Sequence, residues 1–444
     1  TTMMYCLYKP LANNNQTKIT AYMNYFQKIY NIIAIVIALV GIAIIPLLKY
    51  IINLPTEIPY IYVYYLLILF NSIISYLFIY KTTLLQADQK MFIINKYDTI
   101  FQVVLFVLQV FVLLLTNSFA LYLGCNILCT FIGNIFKAKA TEKIYPYLKD
   151  NKKNIINKSE KKELFKNSYS LFFYKLGGII QSNTDNILIS LFIGTITVGY
   201  YSNYSTIILQ ITTFITIIFT ALKASIGNYV TEKNTESQYE MFEILEVYNF
   251  WIVSFCSICF FMLVPNFIEL LFGKEYLLSN IFLICTILNF YTSNIRQTLW
   301  VYRETTGIFS KTKYITLITA IINLILSIIL GKICGLVGIV LATVIARMLY
   351  AWWKEPQIIY KDIFNKNVKI YFQKYILRLI LTAFICLILS IIFKFININN
   401  LFILLIIKAI ICVVVVTLIY LMIYKKNKAY LFLIEKIVKK RRNI

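Results

Sequence analysis

The sequence contains no histidine, and only 19 of its 444 residues are aspartate or glutamate. Structural and catalytic zinc sites draw on histidine, cysteine and carboxylate ligands, and no carboxylate stands near the closely spaced cysteines here. The chain also lacks a P-loop, a glycine-rich dinucleotide loop and paired carboxylates within one apolar segment. We therefore expect no metal, no cofactor and no catalytic residues, and we interpret the nine cysteines as small buried apolar side chains.

What the sequence has in excess is apolar surface, since hydrophobic residues make up 60% of the chain and the mean hydropathy is +0.75. Soluble domains are roughly 45–50% apolar, so a soluble fold could not bury this excess. We predict an all-α polytopic membrane protein, because backbone groups in lipid must bond within their own helix. About 20 apolar residues cross a bilayer as a helix. Twelve such spans are predicted, at residues 29–48, 61–80, 100–116, 119–136, 169–194, 198–221, 250–272, 281–302, 314–330, 335–353, 376–393 and 401–424.

Basic residues are distributed unequally between the two sides of the predicted bundle. The amino terminus and every second connection carry 34 of the 43 lysines and arginines, whereas the opposite connections carry only Lys49, Lys274, Lys332 and Lys394. Because cytoplasmic loops are enriched in basic residues, both termini are predicted to be cytoplasmic. The net charge of +24 follows this membrane rule, so we expect the lipid bilayer as a partner and no nucleic acid.

The connections on the outer side are all short, and the longest covers residues 49–60. Loops of this length leave no room for a folded outer domain, which membrane glycosyltransferases and repeat-unit polymerases need for their chemistry. The sequence therefore favours a transporter body over a membrane enzyme.

A series of short motifs follows one another along nearly the whole chain. They are Tyr5-Cys6-Leu7-Tyr8-Lys9-Pro10-Leu11-Ala12, Leu84-Leu85-Gln86-Ala87-Asp88-Gln89-Lys90, Tyr174-Lys175-Leu176-Gly177-Gly178, Asn183-Thr184-Asp185-Asn186, Gly199-Tyr200-Tyr201-Ser202-Asn203-Tyr204, Ala224-Ser225-Ile226-Gly227-Asn228, Tyr302-Arg303-Glu304 with Gly307, Asn323 with Ser327, and Trp353-Lys354-Glu355-Pro356. In this order they resemble the sugar translocases of Gram-positive bacteria. That group belongs to the polysaccharide-transport branch of the multidrug/oligosaccharidyl-lipid/polysaccharide exporter superfamily.

The resemblance implies a two-lobed exporter with six spans in each lobe and two more at the end. Twelve of those fourteen spans are predicted here, so we expect an N-terminally incomplete chain. The family also carries a glutamate where this sequence has Thr319. The domains expected are an incomplete first lobe (1–136), a basic cytoplasmic linker (137–168), a second lobe (169–353), two additional spans (354–424) and a basic amphipathic cytoplasmic tail (425–444).

Three basic residues lie inside predicted spans at a similar depth. Lys175, Arg296 and Arg347 are each about six residues from the predicted cytoplasmic end, hence roughly 9 Å inward along a helix. Cations at this depth could bind the phosphates of a lipid-linked diphosphate that enters from the cytoplasm. The alternative is that these side chains snorkel to the interface, an interpretation that fits Arg378 and Lys223 better.

Asp185 is the acidic residue placed deepest in a predicted span. It is a candidate for proton or cation coupling, or for an ion pair with a cavity base, because charges inside a membrane are costly. The alternative is a polar patch at 182–186 that hydrogen-bonds neighbouring helices. The glutamates within 232–246 are interpreted as a solvated helix face. Tyr200, Tyr201 and Tyr204 either stack on sugar rings or lie in the interfacial aromatic belt.

The function implied by this resemblance is that of a flippase in the bacterial cytoplasmic membrane. It would move a polyprenyl-diphosphate-linked oligosaccharide repeat unit outward for surface polysaccharide biosynthesis, alongside a polysaccharide polymerase and assembly proteins. Two alternatives stay open, a multidrug-type exporter and a non-transporting scaffold in a polysaccharide assembly complex.

The charge distribution gives a prediction about topology. Single cysteines placed within 137–166 or after Lys425 should react with a membrane-impermeant thiol reagent only from the cytoplasmic side. Cysteines placed near Asn117 and Thr195 should react only from outside, and they serve as the matched controls. Labelling of the 137–166 segment from outside intact cells would reverse the predicted orientation.

Overall fold

The computed structural model describes residues 2–51, 59–149, 156–157, 161, 178, 184–306, 308–396, 398–432 and 434–435. Within these ranges the chain is helical, with turns between the helices and no strand. Nine helices in the described part are long and apolar enough to cross a membrane. The prediction of an all-α polytopic membrane protein is confirmed.

The chain divides into two compact units, Thr1–Phe172 and Phe173–Ile444. The helices of the first unit are α1 (Thr2–Ala12), α2 (Gln16–Ile44), α3 (Ile61–Ala87), α4 (Met91–Thr116) and α5 (Phe119–Ile144). Those of the second unit are α6 (Thr195–Glu232), α7 (Thr235–Phe272), α8 (Asn280–Asn294), α9 (Gln297–Thr305), α10 (Phe309–Ala346), α11 (Trp352–Ile359), α12 (Lys369–Lys394) and α13 (Leu401–Tyr424).

One predicted span differs from the helices observed, since the span predicted at 281–302 is broken into α8 and α9. The spans predicted at 314–330 and 335–353 are two helical parts of the run Tyr314–Phe364. They are separated by a kink at Gly335, whose positive φ of 59° favours glycine. Most of the span predicted at 169–194 lies outside the described residues.

In the first unit, the buried core lies where α1, α2 and α3 meet. Leu7, Ile19, Phe26, Leu84 and Leu85 are each at most 2% exposed. The later half of α2 instead leaves isoleucine, leucine and valine side chains half or more exposed. Exposed apolar side chains of this kind are expected to face lipid chains, because their contact with water is unfavourable.

In the second unit, α7 packs against α12 and α13 and pairs four of its glutamates with bases from the C-terminal part of the chain. The pairs are Glu236–Lys366 (3.0 Å), Glu240–Lys428 (2.8 Å), Glu243–Lys374 and Glu246–Arg378 (3.0 Å). Because each base comes from beyond residue 365, this row of ion pairs holds the last part of the chain against α7.

The predicted solvated face along 232–246 is therefore wrong at Glu246, which is 3% exposed. The predicted snorkelling of Arg378 is also wrong, since its guanidinium is buried against Glu246 and the ring of Phe250. The cause is the length of α7, which begins at Thr235 rather than at residue 250 and carries these glutamates into the helix packing. Lys223 is likewise paired, with Glu304.

The buried pair gives a stability prediction. Replacing Arg378 with methionine should destabilise the protein by about 3–5 kcal/mol, because Glu246 would remain buried without its cation. Thermal unfolding of the purified protein in detergent measures the change. The control is Lys428→Met, which also replaces a basic residue with methionine. Lys428 pairs with Glu240 of the same helix, but its side chain is 79% exposed. It should leave the melting temperature unchanged, and equal losses in both variants would contradict the prediction.

Candidate functional site

The site begins at the break between α8 and α9. Helix α8 ends at Asn294 and α9 begins at Gln297, so the backbone carbonyls of Asn294 and Ile295 lose their helical partners. The Asn249 side chain of α7, which is fully buried, donates Nδ2 to both of these carbonyls, at 3.2 and 2.8 Å. Asn249 therefore stabilises a break that places Arg296 at the first turn of α9.

Arg296 shares a carboxylate with a second arginine. Its Nη2 contacts Oε2 of Glu355, while Nη1 of Arg303 lies 2.8 Å from Oε1 of the same residue. Glu355 is 2% exposed and lies in α11, and Arg303 lies in α9, about two helical turns beyond Arg296. A charge buried this deeply needs partners on both oxygens, and the two arginines supply them. We call these three residues the Glu355 triad.

A cavity of about 400 Å³ borders the triad at Arg296. Its lining includes Asp185, Tyr201, Arg296 and Arg347, together with hydroxyl and amide side chains of α6, α8 and α10. We call it the arginine cavity. It holds two guanidinium groups and one carboxylate in a partly enclosed space, where a charged ligand interacts more strongly than in bulk water.

Arg347 is held in the arginine cavity by neutral oxygens. Its Nη1 donates to the backbone oxygen of Asn289 (3.1 Å), to Oδ1 of Asn289 (3.0 Å) and to Oγ1 of Thr292 (2.7 Å). The side chain is buried, and no carboxylate lies within ion-pair distance in the described part of the chain. Arg347 thus keeps its charge fixed in position but not neutralised by direct contact.

Asp185 faces the same cavity from the helical segment at 184–192. Oγ1 of Thr343 lies 3.5 Å from its Oδ2, and Nδ2 of Asn323 donates to the same Thr343 hydroxyl at 2.9 Å. The other carboxylate oxygen is buried and has no hydrogen-bond partner among the described residues. This arrangement is compatible with both interpretations of Asp185, a coupling site and a polar patch.

A second cavity of about 290 Å³ is lined by all three residues of the Glu355 triad. Trp300, Gln297 and Thr216 contribute to its walls, and Arg296 lines both cavities. One face of Trp300 is covered by Lys223, whose Nζ lies 3.5 Å from the ring centroid. Arg296 therefore stands between two polar spaces, with its guanidinium accessible from them.

Of the predicted site residues, Arg296, Arg347 and Asp185 line one cavity, and Lys175 lies outside the described residues. Sequence reasoning missed Glu355 and Arg303. Glu246 and Glu355, which lie outside the predicted spans, are buried at least as completely as Asp185. Arg303 and Glu355 stand in two of the motifs that carried the family resemblance, which was the available signal.

The chemistry available here is binding of an anion. Three arginines face two carboxylates, Glu355 and Asp185, which leaves one positive charge in excess. Within the described residues, no group of three or more cysteine or carboxylate side chains could hold a metal ion. Planar guanidinium groups can bind the oxygens of a phosphate or a carboxylate in pairs, so an anion of either kind fits this geometry.

Comparison with known proteins agrees with the membrane architecture. Residues 14–223 match the family described as "Polysaccharide biosynthesis protein". The structure titled "Lipid II flippase MurJ, inward closed conformation" is similar with a TM-score of 0.68 and 15% identity, over 96% of this chain and 93% of that chain. A comparison with curated proteins found no match.

Two multidrug transporter structures are also similar. The Vibrio cholerae MATE transporter VcmN gives a TM-score of 0.56 at 12% identity, over 83% of this chain and 86% of that chain. An inward-facing MATE family transporter of the MOP superfamily gives 0.57 at 13% identity, over 80% and 85%. At these identities the structures establish the fold. The family match over residues 14–223 agrees with the resemblance to the polysaccharide-transport branch of this exporter superfamily.

The helix break gives a second stability prediction. Asn249→Leu should destabilise the protein by about 1–3 kcal/mol for each of the two buried carbonyls that lose their donor. Asn323→Leu is the matched control, because that side chain is also fully buried but donates to hydroxyls, which can turn to other partners. Chemical unfolding in detergent compares the two. A smaller loss for Asn249→Leu than for Asn323→Leu would contradict the capping role.

Proposed function

We propose that this protein is a flippase or exporter for lipid-linked oligosaccharide repeat units in the bacterial cytoplasmic membrane. The observation that carries the proposal is the presence of two arginines, Arg296 and Arg347, in one buried cavity. The cargo would be a polyprenyl-diphosphate-linked oligosaccharide used for surface polysaccharide. No bond is made or broken, so the protein acts as a transporter and not as an enzyme.

Arg347 is the first anchor for the diphosphate in this proposal. Its Nη1 is already occupied by Asn289 and Thr292, which fix the guanidinium and leave other nitrogens for a ligand. Hydrogen bonds between a charged donor and a phosphate oxygen are stronger than neutral ones. Arg296 supplies the second anchor, and Lys175 is proposed as a third cation at the same depth.

The direction of loading follows from the charge distribution. The predicted cytoplasmic side carries most of the basic residues, and Arg296 and Arg347 lie near that end of their spans. A lipid-linked sugar made in the cytoplasm would meet these cations first. The family match to polysaccharide biosynthesis and the fold shared with a structure titled as a lipid II flippase support this proposal.

A multidrug-type exporter is the second candidate, and the fold shared with MATE transporters favours it. The positive excess in the site disfavours it for cationic drugs, because a cation would meet two arginines with one nearby carboxylate. A non-transporting scaffold would need no charged cavity. Polymerase and assembly proteins are proposed as partners of the flippase and of the scaffold alike.

The test uses a strain whose surface polysaccharide depends on this protein. Arg296→Ala and Arg347→Ala should each lower surface polysaccharide at least about tenfold, the effect of losing roughly 1.4 kcal/mol of substrate binding. Arg296→Lys should lower it less, since lysine keeps the charge but loses the paired geometry. Lys274→Ala, which removes an exposed cation, is the matched control.

Membrane levels of all variants are compared by immunoblot, and drug susceptibility is measured in the same strains. Wild-type polysaccharide in both alanine variants at equal protein levels would contradict the flippase proposal and favour the scaffold. Raised drug susceptibility with unchanged polysaccharide would favour drug export.

A further inference from the structure

We propose that Glu355 is an internal counter-ion that releases Arg296 to the incoming diphosphate, while Arg303 keeps Glu355 paired. This inference rests on the proposed function, because it requires an anionic ligand in the arginine cavity. It assigns roles to two residues: Glu355 competes with the ligand, and Arg303 is a positioning residue that makes the exchange possible.

The geometry of the Glu355 triad divides the two arginines by exposure. Glu355 uses one oxygen for each of them, Oε2 for Arg296 and Oε1 for Arg303. The Arg303 side chain is 6% exposed, and the Arg296 side chain is 18% exposed and borders both cavities. A ligand in the arginine cavity can therefore reach Arg296 directly, whereas Arg303 lines only the second cavity and stays on the carboxylate.

The shared carboxylate makes the exchange feasible. If Arg296 were the only partner of Glu355, its departure would leave a buried negative charge without a cation, which is strongly unfavourable. Arg303 removes that difficulty, because the bond to Oε1 persists when Oε2 is released. The exchange then replaces one arginine–carboxylate contact with one arginine–phosphate contact of similar strength.

The charge of the ligand determines whether the exchange occurs. While Glu355 holds Arg296, Arg347 is the cation that, among the described residues of the arginine cavity, has no carboxylate within ion-pair distance. A diphosphate that links a polyprenol to a sugar carries two negative charges. The second charge can attract Arg296 away from Glu355, so a doubly charged ligand binds both Arg347 and Arg296.

Local backbone structure around Glu355 supports a specialised role. Helix α11 lies between two π-helical segments, Arg347–Ala351 and Tyr360–Phe364. Pro356 follows Glu355 directly and cannot donate a backbone hydrogen bond. Segments of π-helix occur often at functional sites because they alter the register of side chains along a helix. Here they flank the stretch that carries the competing carboxylate.

The test measures binding of a sugar-free polyprenyl diphosphate to the purified full chain in lipid nanodiscs. Glu355→Gln should bind about tenfold more tightly than the wild type, because Arg296 is no longer held by a charge. Arg303→Gln should bind about tenfold more weakly, since Glu355 is then left with Arg296 alone. The double variant Glu355→Gln/Arg303→Gln should recover at least wild-type affinity.

The recovery separates positioning from direct contact, since an Arg303 that bound phosphate itself would leave the double variant as weak as Arg303→Gln. In an Arg296→Gln background, Glu355→Gln should have no effect on affinity. If Glu355→Gln alone fails to fold, the affinity of Arg303→Gln can be compared with that of the double variant. This comparison still shows whether removing the charge of Glu355 strengthens or weakens binding.

Two further outcomes have distinct meanings. Weaker or unchanged binding in Glu355→Gln, with clear binding by the wild type, would overturn the counter-ion role and leave the flippase proposal standing. Absence of binding by the wild type would overturn both.

Discussion

The constraint on which the second unit depends is that a charge removed from water must have a partner. Each buried arginine meets it differently: Arg378 uses a single glutamate, Arg303 shares one, and Arg347 uses neutral oxygens alone. The break between α8 and α9 is a response to the same constraint, because freed backbone carbonyls also need donors and Asn249 supplies them. Arg296 differs because it is paired with Glu355 and is also accessible from the cavities. A residue that binds a ligand has to be accessible in this way.

Hydropathy predicted the all-α membrane architecture because apolar runs long enough to cross a bilayer have few other uses. It failed where helices continue beyond the apolar run. Helix α7 starts well before the predicted span, and the helical run that contains α11 continues past Trp353 to Phe364. Hydropathy places a span boundary at the first charged residue, whereas a helix continues for as long as its charges find partners. Hydropathy did not reveal the break at Ile295 for a related reason. Helices α8 and α9 together are apolar enough to be predicted as one span.

The depth of Arg296, Arg347 and Asp185 along their spans was enough to propose them as site residues, and they line one cavity. Their partners could not be found in the same way. Glu355 lies 59 residues from Arg296 in the chain, and no spacing rule connects two residues on different helices. Depth also could not tell a paired arginine from a snorkelling one, which is why Arg378 was misassigned. Sequence position fixes height in the membrane, but the rotation of a helix decides which neighbour a side chain meets.

The pairing of Glu246 with Arg378 spans 132 residues of chain, and this separation has a consequence for biogenesis. During synthesis the glutamate leaves the ribosome long before its arginine exists. Helix α7 must therefore enter the bilayer with this carboxylate either protonated or held near the headgroups, where water can still reach it. The carboxylate can become buried against its arginine only when α12 packs on α7, so the packing of this early helix waits for a late one.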